Sequence, residues 1–164
     1  FIMEDDDDFD FNLDDLSPEE REELEKEEQE RNKRIRTSPI FRKANEILET
    51  VSALVESLDE DDKEFYAGTL MESAYMLAPK LAGALGSDSW LICMQNASII
   101  RYHAEYLHTS TSGLKVFSKA QKEYIQLFRT EMEEFRTLFN EWVKTFHKLD
   151  REEYEDEWGL YIRP

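Results

Sequence analysis

The chain has 164 residues, 40% of them hydrophobic, which is enough for one hydrophobic core but short for two. Its formal net charge is −18 at pH 7, with −10 carried by residues 1–36, −4 by residues 37–148 and −4 by residues 149–164. Such an acidic surface repels phosphate backbones at long range, so the charge disfavours nucleic acid as a partner.

Cysteine usage and hydropathy indicate the compartment. The single cysteine, Cys93, lies in an apolar helical stretch, which excludes an internal disulfide and predicts a core residue in a reducing environment. No apolar run approaches the roughly 18 residues of a membrane span, and acids stand where a signal peptide has its basic region. We therefore expect a cytoplasmic protein, although the chain begins with Phe1 and a removed targeting segment would leave no trace.

Residues 1–16 form an acidic segment. The tract 4–15 is too charged to bury itself, which predicts an extended or disordered chain. A run of solvated charge explains this composition. A short linear motif also explains it, with Phe9 and Phe11 anchoring the segment in a basic groove of a partner protein.

Residues 17–36 are predicted to form a polar helical arm. Ser17, Pro18 and Glu20 supply the N-cap, the N1 proline and the capping-box glutamate of a helix that ends near residue 35. Leu24 is the only apolar residue in its interior, so the arm has no stripe to pack on a core. Its last turns hold the one local basic cluster, a candidate contact for nucleic acid. The cluster consists of Arg31, Lys33, Arg34 and Arg36.

Four longer helices are predicted within residues 37–148, over about 39–58, 62–85, 89–110 and 118–148. Residues 109–113 are turn-forming and are expected to end the third. The apolar stripe of the second comprises Phe65, Leu70, Ala74, Leu77, Leu81 and Leu85. The last helix has the strongest stripe, Phe128, Met132, Phe135, Phe139, Trp142, Phe146 and Leu149. Short connections favour antiparallel neighbours. The prediction is an all-α, up-down-up-down four-helix bundle with an extra polar N-terminal helix and an acidic, aromatic C-terminal tail.

The tail, residues 149–164, mixes acids with large apolar residues. Tyr154, Trp158 and Tyr161 would either dock on the core or contact another subunit. The last helix also has apolar residues beside its main stripe, namely Ile125, Leu138 and Val143. Because this is more apolar surface than one core is expected to hold, we predict a homo-oligomer formed through the last helix and the tail.

The order of these elements and the stretch 77–84 (LAPKLAGA) resemble the bacterial 23S rRNA intervening-sequence four-helix-bundle proteins and their uncharacterised relatives. Members of that group typically have Ile-Pro-x-Asn-Ile-Ala-Glu-Gly here. The resemblance covers about residues 40–146 and implies a four-helix bundle that assembles into rings, with no catalytic residues. Relatives that serve as retroelement accessory proteins bind nucleic acid through basic surfaces, and this chain lacks that charge.

No pattern in the sequence predicts catalysis. A di-iron bundle site needs two Glu-x-x-His pairs, and only Glu105 and His108 have that spacing. Cys93 and His103 are ten residues apart in one helix and cannot touch. A structural polar layer is the preferred interpretation of Asn96 and His103, which could share hydrogen bonds with each other or with Asn45.

The sequence therefore predicts a non-enzymatic helical-bundle protein that acts through self-association or contact with a protein partner, without metal, cofactor or catalytic residues. Two alternatives stay open. One is a nucleic-acid-associated accessory protein that uses the basic cluster at residues 31–36. The other is a metal-carboxylate enzyme of the bundle class.

Overall fold

The computed structural model describes residues 16–151 and residue 158, and within this part of the chain the named elements are all helices. They are α1 (Pro18–Thr37), α2 (Pro39–Ser57), α3 (Glu60–Leu85), α4 (Trp90–Phe117), α5 (Lys122–Lys144) and a 3-10 helix (Thr145–Lys148). The predicted all-α class is confirmed. No helix in the described range is both long and apolar enough to cross a membrane. The tract 4–15, with Phe9 and Phe11, lies outside the described residues, as do Tyr154 and Tyr161.

Side-chain caps fix where three of the helices begin. The Ser17 hydroxyl accepts from the Glu20 amide at 3.2 Å, and the Glu20 carboxylate accepts from the Ser17 amide at 2.8 Å, which is the predicted capping box. Asp59 accepts from the Asp62 amide at 2.9 Å at the start of α3. Ser89 caps α4 in the same way. These caps satisfy amides that have no partner inside the helix.

The hydrophobic core is formed by α2, α3, α4 and α5. Helix α2 packs against α3 and α5, and α4 packs against the same two helices. The α5 stripe supplies Phe128, Met132 and Phe135, each no more than 2% exposed. A second, smaller cluster closes one end of the core. It contains Ala84, Cys93, Ala97 and Phe146.

The α4–α5 connection differs from the prediction. Helix α4 does not end at residue 110 but continues to Phe117, and α5 begins at Lys122. The hydroxyls of Ser110 and Thr111 donate to backbone carbonyls of the preceding turn, each at 2.7 Å, so they do not interrupt the helix. Thr111 and Leu114 are buried, and their packing holds these last turns in helical conformation.

Three aromatic residues assigned to buried stripes are not fully buried, and one of them is Trp142, which is half-buried on α5. Phe65 is 77% exposed, because it precedes Leu70 by five residues and therefore points well away from the buried row of α3. Phe139 follows Phe135 by four residues but is only partly buried, since it lines an opening between α4 and α5.

The polar arm, α1, contains no buried residue, as its sequence predicts. It touches the core near its C-terminal end. Arg34 Nη1 lies 3.1 Å from a carboxylate oxygen of Asp88. A methyl group in place of the Gly86 hydrogen would lie 3.2 Å from Arg31 Cδ, so the arginine stem rests on this glycine.

Phe135→Ala should destabilise the protein by roughly 3–5 kcal/mol, because it leaves a cavity where a fully buried ring now packs. Phe65→Ala is the matched control, since the same substitution at an exposed position should change the unfolding free energy by less than about 0.5 kcal/mol. Chemical denaturation measures both. Equal midpoints for the two variants would contradict the facing of α5.

A chain that begins at Arg36 should fold as cooperatively as the full chain, because α1 contributes no buried residue. Thermal melting followed by circular dichroism tests this. The helical circular-dichroism signal should fall only by the amount that the removed α1 residues contribute. A broad or absent transition would show that the core depends on the arm.

Candidate functional site

Helix α4 presents a row of exposed and half-buried residues along the edge of its contact with α3. We call it the outer row, and it consists of Ile92, Gln95, Asn96, Ile99, Tyr102, His103 and Tyr106. Ile92 is 42% exposed and Tyr102 is 71% exposed, while Ile99 and Tyr106 are each 36% exposed. Large apolar residues this exposed and this regularly spaced along one helix form a patch rather than scattered single contacts.

The outer row is fixed in place by α3. The Tyr106 hydroxyl donates to Thr69 Oγ1 at 2.5 Å, and His103 Nδ1 shares a hydrogen bond with Ser73 Oγ at 3.0 Å. Near the other end, Gly83 of α3 lies under the Asn96 side chain. The three contacts hold the row in register with α3 between Asn96 and Tyr106.

The outer row carries no formal charge when His103 is neutral. Helix α4 has one acidic residue, Glu105, and two basic residues, Arg101 and Lys115, in a protein with 38 acidic residues. None of these three belongs to the row. Helix α4 is therefore where the repulsion between two copies of the protein is weakest.

The other side of α4 forms a cleft with α5. This α4–α5 cleft has a volume of about 500 Å³ and is lined by residues 101–109 of α4 and 132–140 of α5. Its apolar surface comes from Ala104, Met132, Phe135 and Phe139. The polar lining residues are Arg101, Glu105, His108, Thr109, Arg136 and Asn140.

A hydrogen-bonded network crosses from α4 to α5 at this cleft. His108 Nε2 lies 2.6 Å from Glu133 Oε1, and Arg136 donates to the other carboxylate oxygen of Glu133. The hydrogen bond from His108, followed by the charge of Arg136, lowers the pKa of Glu133. One turn away, Arg129 Nη1 donates to the Thr111 hydroxyl at 3.1 Å.

Glu131 is in the opposite situation to Glu133, although it is only two residues away. It faces α2, where Thr50 hydrogen-bonds to its carboxyl group, and its Oε2 is buried without a partner among the described residues. Burial raises the pKa of Glu131 despite the bond from Thr50 and the nearby charge of Lys43.

Two of the four side chains in the basic cluster predicted at residues 31–36 make polar contacts within the chain. Arg34 pairs with Asp88, and Arg36 Nε donates to the Asn32 carbonyl at 3.4 Å. Glu27, Glu28 and Glu30 share a surface cleft with Arg31 and Arg34, so acids surround the cluster. All four basic side chains are exposed, and a nucleic-acid contact at this cluster stays a prediction.

The proposed hydrogen bonds within a polar layer do not form. Asn45 donates to its own helix at the Phe41 carbonyl, and Asn96 donates to the Ile92 carbonyl, both at 2.9 Å. Each amide is satisfied one turn back along its helix, which leaves His103 to bond Ser73 instead.

The described residues also include Cys93, Glu105 and Trp158 from the sequence candidates. Cys93 is buried, its Sγ lies 3.3 Å from the Ala84 carbonyl, and burial raises the pKa of its thiol, which makes it a poor nucleophile. Glu105 pairs with Arg101, not with His108. Within the described ranges, no group of three or more His, Cys, Asp or Glu residues is arranged to hold a metal ion. Trp158 is 93% exposed.

Sequence reasoning missed Glu133, Arg136 and Arg129. The i,i+3 spacing of Glu133 and Arg136 was a visible signal for a pair on one helix face. The partner of Glu133 on α4, His108, could not be identified from the sequence, because the pairing depends on the axial position of α5 relative to α4.

The comparisons with known proteins give no family. No family model matches the chain, and neither a curated protein nor a solved structure matches it. The resemblance to the intervening-sequence proteins therefore stays a prediction.

Glu131→Gln should stabilise the protein at pH 7, because it removes the cost of burying an ionised carboxylate. The pKa of Glu131 is higher in the folded than in the unfolded state, so the protonated group favours folding at low pH. This contribution is fully present below the unfolded pKa of about 4.3 and is lost as the pH rises through the folded pKa.

The advantage of Glu131→Gln should therefore be present at pH 7 and vanish near pH 4. Urea denaturation at both pH values measures it. Glu134→Gln, at an exposed position paired with Lys43, is the control and should not stabilise the protein at pH 7. A loss of stability in the Glu131 variant at pH 7 would reject the assignment.

Proposed function

We propose that this is a non-enzymatic helical protein of the cytoplasm that acts by self-association, and that two copies meet across the outer row of α4. The observation that carries the proposal is that the outer row has four exposed large apolar residues and no formal charge, on the least acidic α-helix of a strongly acidic protein. Aromatic residues are enriched and charges depleted at the centre of protein interfaces. On α5, Ile125 is buried and Leu138 and Val143 pack against the core clusters, which favours α4 over the predicted α5 surface. The tail residues Tyr154 and Tyr161 of the predicted interface lie outside the described residues.

The spacing of the outer row suits a two-fold axis at Ile99. Ile92 lies seven residues before Ile99, and Tyr106 lies seven residues after it. Two antiparallel copies of α4 would place Ile92 of one copy opposite Tyr106 of the other, with the two Ile99 side chains in contact on the axis. Such self-complementarity is what an isologous dimer interface requires.

We further propose that α2 to α5 form an antiparallel up-down-up-down four-helix bundle. The cross-helix contacts support it. In the α3–α4 pair, Thr69 meets Tyr106 and Gly83 lies near Asn96, so residue numbers rise in one helix as they fall in the other. Helices α4 and α5 behave alike, since His108 meets Glu133 and Thr111 meets Arg129. The outer row then lies on the outside of the bundle, on one face.

Ile99→Glu should raise the dimer dissociation constant by at least about tenfold, or about 1.4 kcal/mol, because two carboxylates would meet on the axis. Leu127→Glu is the matched control. It introduces the same charge at a 48% exposed position on α5 and should leave association unchanged. Sedimentation at several protein concentrations measures both.

Charge complementation sharpens this test. Ile99→Glu and Ile99→Lys should each associate poorly alone, and an equimolar mixture should form the mixed dimer. Higher salt should strengthen association of the parent protein by screening its net charge. A parent that is monomeric at all concentrations and ionic strengths would overturn the proposal. Equal association of the Ile99→Glu and Leu127→Glu variants would move the interface elsewhere.

A further inference from the structure

We infer that the α4–α5 cleft binds a small organic anion with an apolar body, such as a free medium-chain carboxylate. The cleft lies on the opposite side of α4 from the outer row, and this inference does not depend on the proposed self-association. It rests on the shape of the cleft, the chemistry of its floor and the arginines on its two walls.

The size and floor of the cleft suit a small molecule with an apolar portion. Its volume of about 500 Å³ falls within the roughly 300–1,000 Å³ that is typical of small-molecule sites. Phe135 and Met132 form part of the floor, and their side chains are almost completely buried. Phe139, left partly open by the separation of the helices, adds an aromatic wall.

The rim supplies two guanidinium groups from different helices. Arg101 belongs to α4 and uses Nε to bond Glu105, while Arg136 belongs to α5 and uses Nη2 to bond Glu133. A guanidinium has five N–H donors, so each arginine keeps donors for a second anion. Planar guanidinium groups match the geometry of a carboxylate, which favours a carboxylate or sulfonate head group.

The network behind Arg136 orients this side chain before any ligand binds. Glu133 holds Arg136 from one carboxylate oxygen, and His108 holds Glu133 from the other. Because His108 stands on α4, the network also ties the two walls of the cleft together. A ligand head group would meet a cation whose position is already set, which reduces the ordering cost of binding.

The overall charge of the protein favours a free small anion over an anionic membrane or a polyanion as the ligand. A net charge of −18 opposes contact with an anionic membrane or a polyanion, whose many charges act over a large surface. At the cleft a single small anion meets Arg101 and Arg136 together with their carboxylate partners, so the local charge is close to neutral and not strongly acidic. The favoured ligand is therefore a free molecule rather than a lipid head group within a bilayer.

The experiment uses two probes with the same aromatic body. One is the anionic fluorophore 1-anilinonaphthalene-8-sulfonate, and the other is its neutral counterpart N-phenyl-1-naphthylamine. The folded full-length protein should bind the anionic probe at one site per chain, and dodecanoate should displace it. The double variant Arg101→Gln with Arg136→Gln should weaken binding of the anionic probe at least tenfold and leave binding of the neutral probe nearly unchanged.

Three controls separate the cleft from other surfaces. The double variant Arg36→Gln with Arg42→Gln removes the same charge elsewhere and should bind the anionic probe like the parent. Ile99→Glu, on the outer row, should also bind it normally whether or not the protein dimerises. Ala104→Phe should abolish binding of both probes by filling the cleft, and an unchanged circular-dichroism spectrum and melt would show that the fold persists.

Three results would overturn the inference. The first is anionic-probe affinity that is the same in the parent and in the Arg101/Arg136 variant. The second is loss of binding in Ile99→Glu, which would place the probe on the outer row. The third is sedimentation with phosphatidylglycerol vesicles in the absence of any dodecanoate binding, which would indicate a lipid surface instead.

Discussion

The burial of the α5 stripe is the interaction on which the other features of this protein depend. Phe128, Met132 and Phe135 enter the core, where residues of α2, α3 and α4 surround them. Burying aromatic and aliphatic surface is the main favourable contribution to folding, and a side chain of this size contributes roughly 1.5–3 kcal/mol. Once this stripe faces inward, the helical period fixes every other position on α5.

The two glutamates of α5 show this geometric consequence. Positions 131 and 133 lie on either side of the buried stripe, so Glu131 is carried to the α2 interface and Glu133 to the α4 interface. Identical side chains two residues apart thus have pKa shifts of opposite sign. Glu131 is more easily protonated because it is buried, and Glu133 stays ionised because His108 bonds it. Their environments come from the packing of α5 and not from the local sequence.

The sequence predicts local features of this fold well and relations between helices poorly. The caps at Ser17, Asp59 and Ser89 could be predicted because each depends on residues within one turn. The end of α4 could not, because burial of Leu114 overrides the turn-forming residues before it. For the candidate site, the sequence shows which residues of α4 are apolar. It does not show which of them are exposed in the folded protein. The His108–Glu133 pair and the cleft depend on helix register and separation, which no short pattern encodes.

Asp150 and Arg151 contact the end of the core at which α4 begins. The Trp90 amide donates to the Asp150 carbonyl at 2.9 Å, and the Arg151 guanidinium stacks over the Trp90 ring. This contact joins residues about sixty positions apart. During synthesis the first turn of α4 therefore lacks this contact until Asp150 has been added to the chain. Helices α2, α3 and most of α4 can pack against each other while the chain is still growing. The end around Cys93 and Phe146 can therefore close fully only after residue 150 has been synthesised.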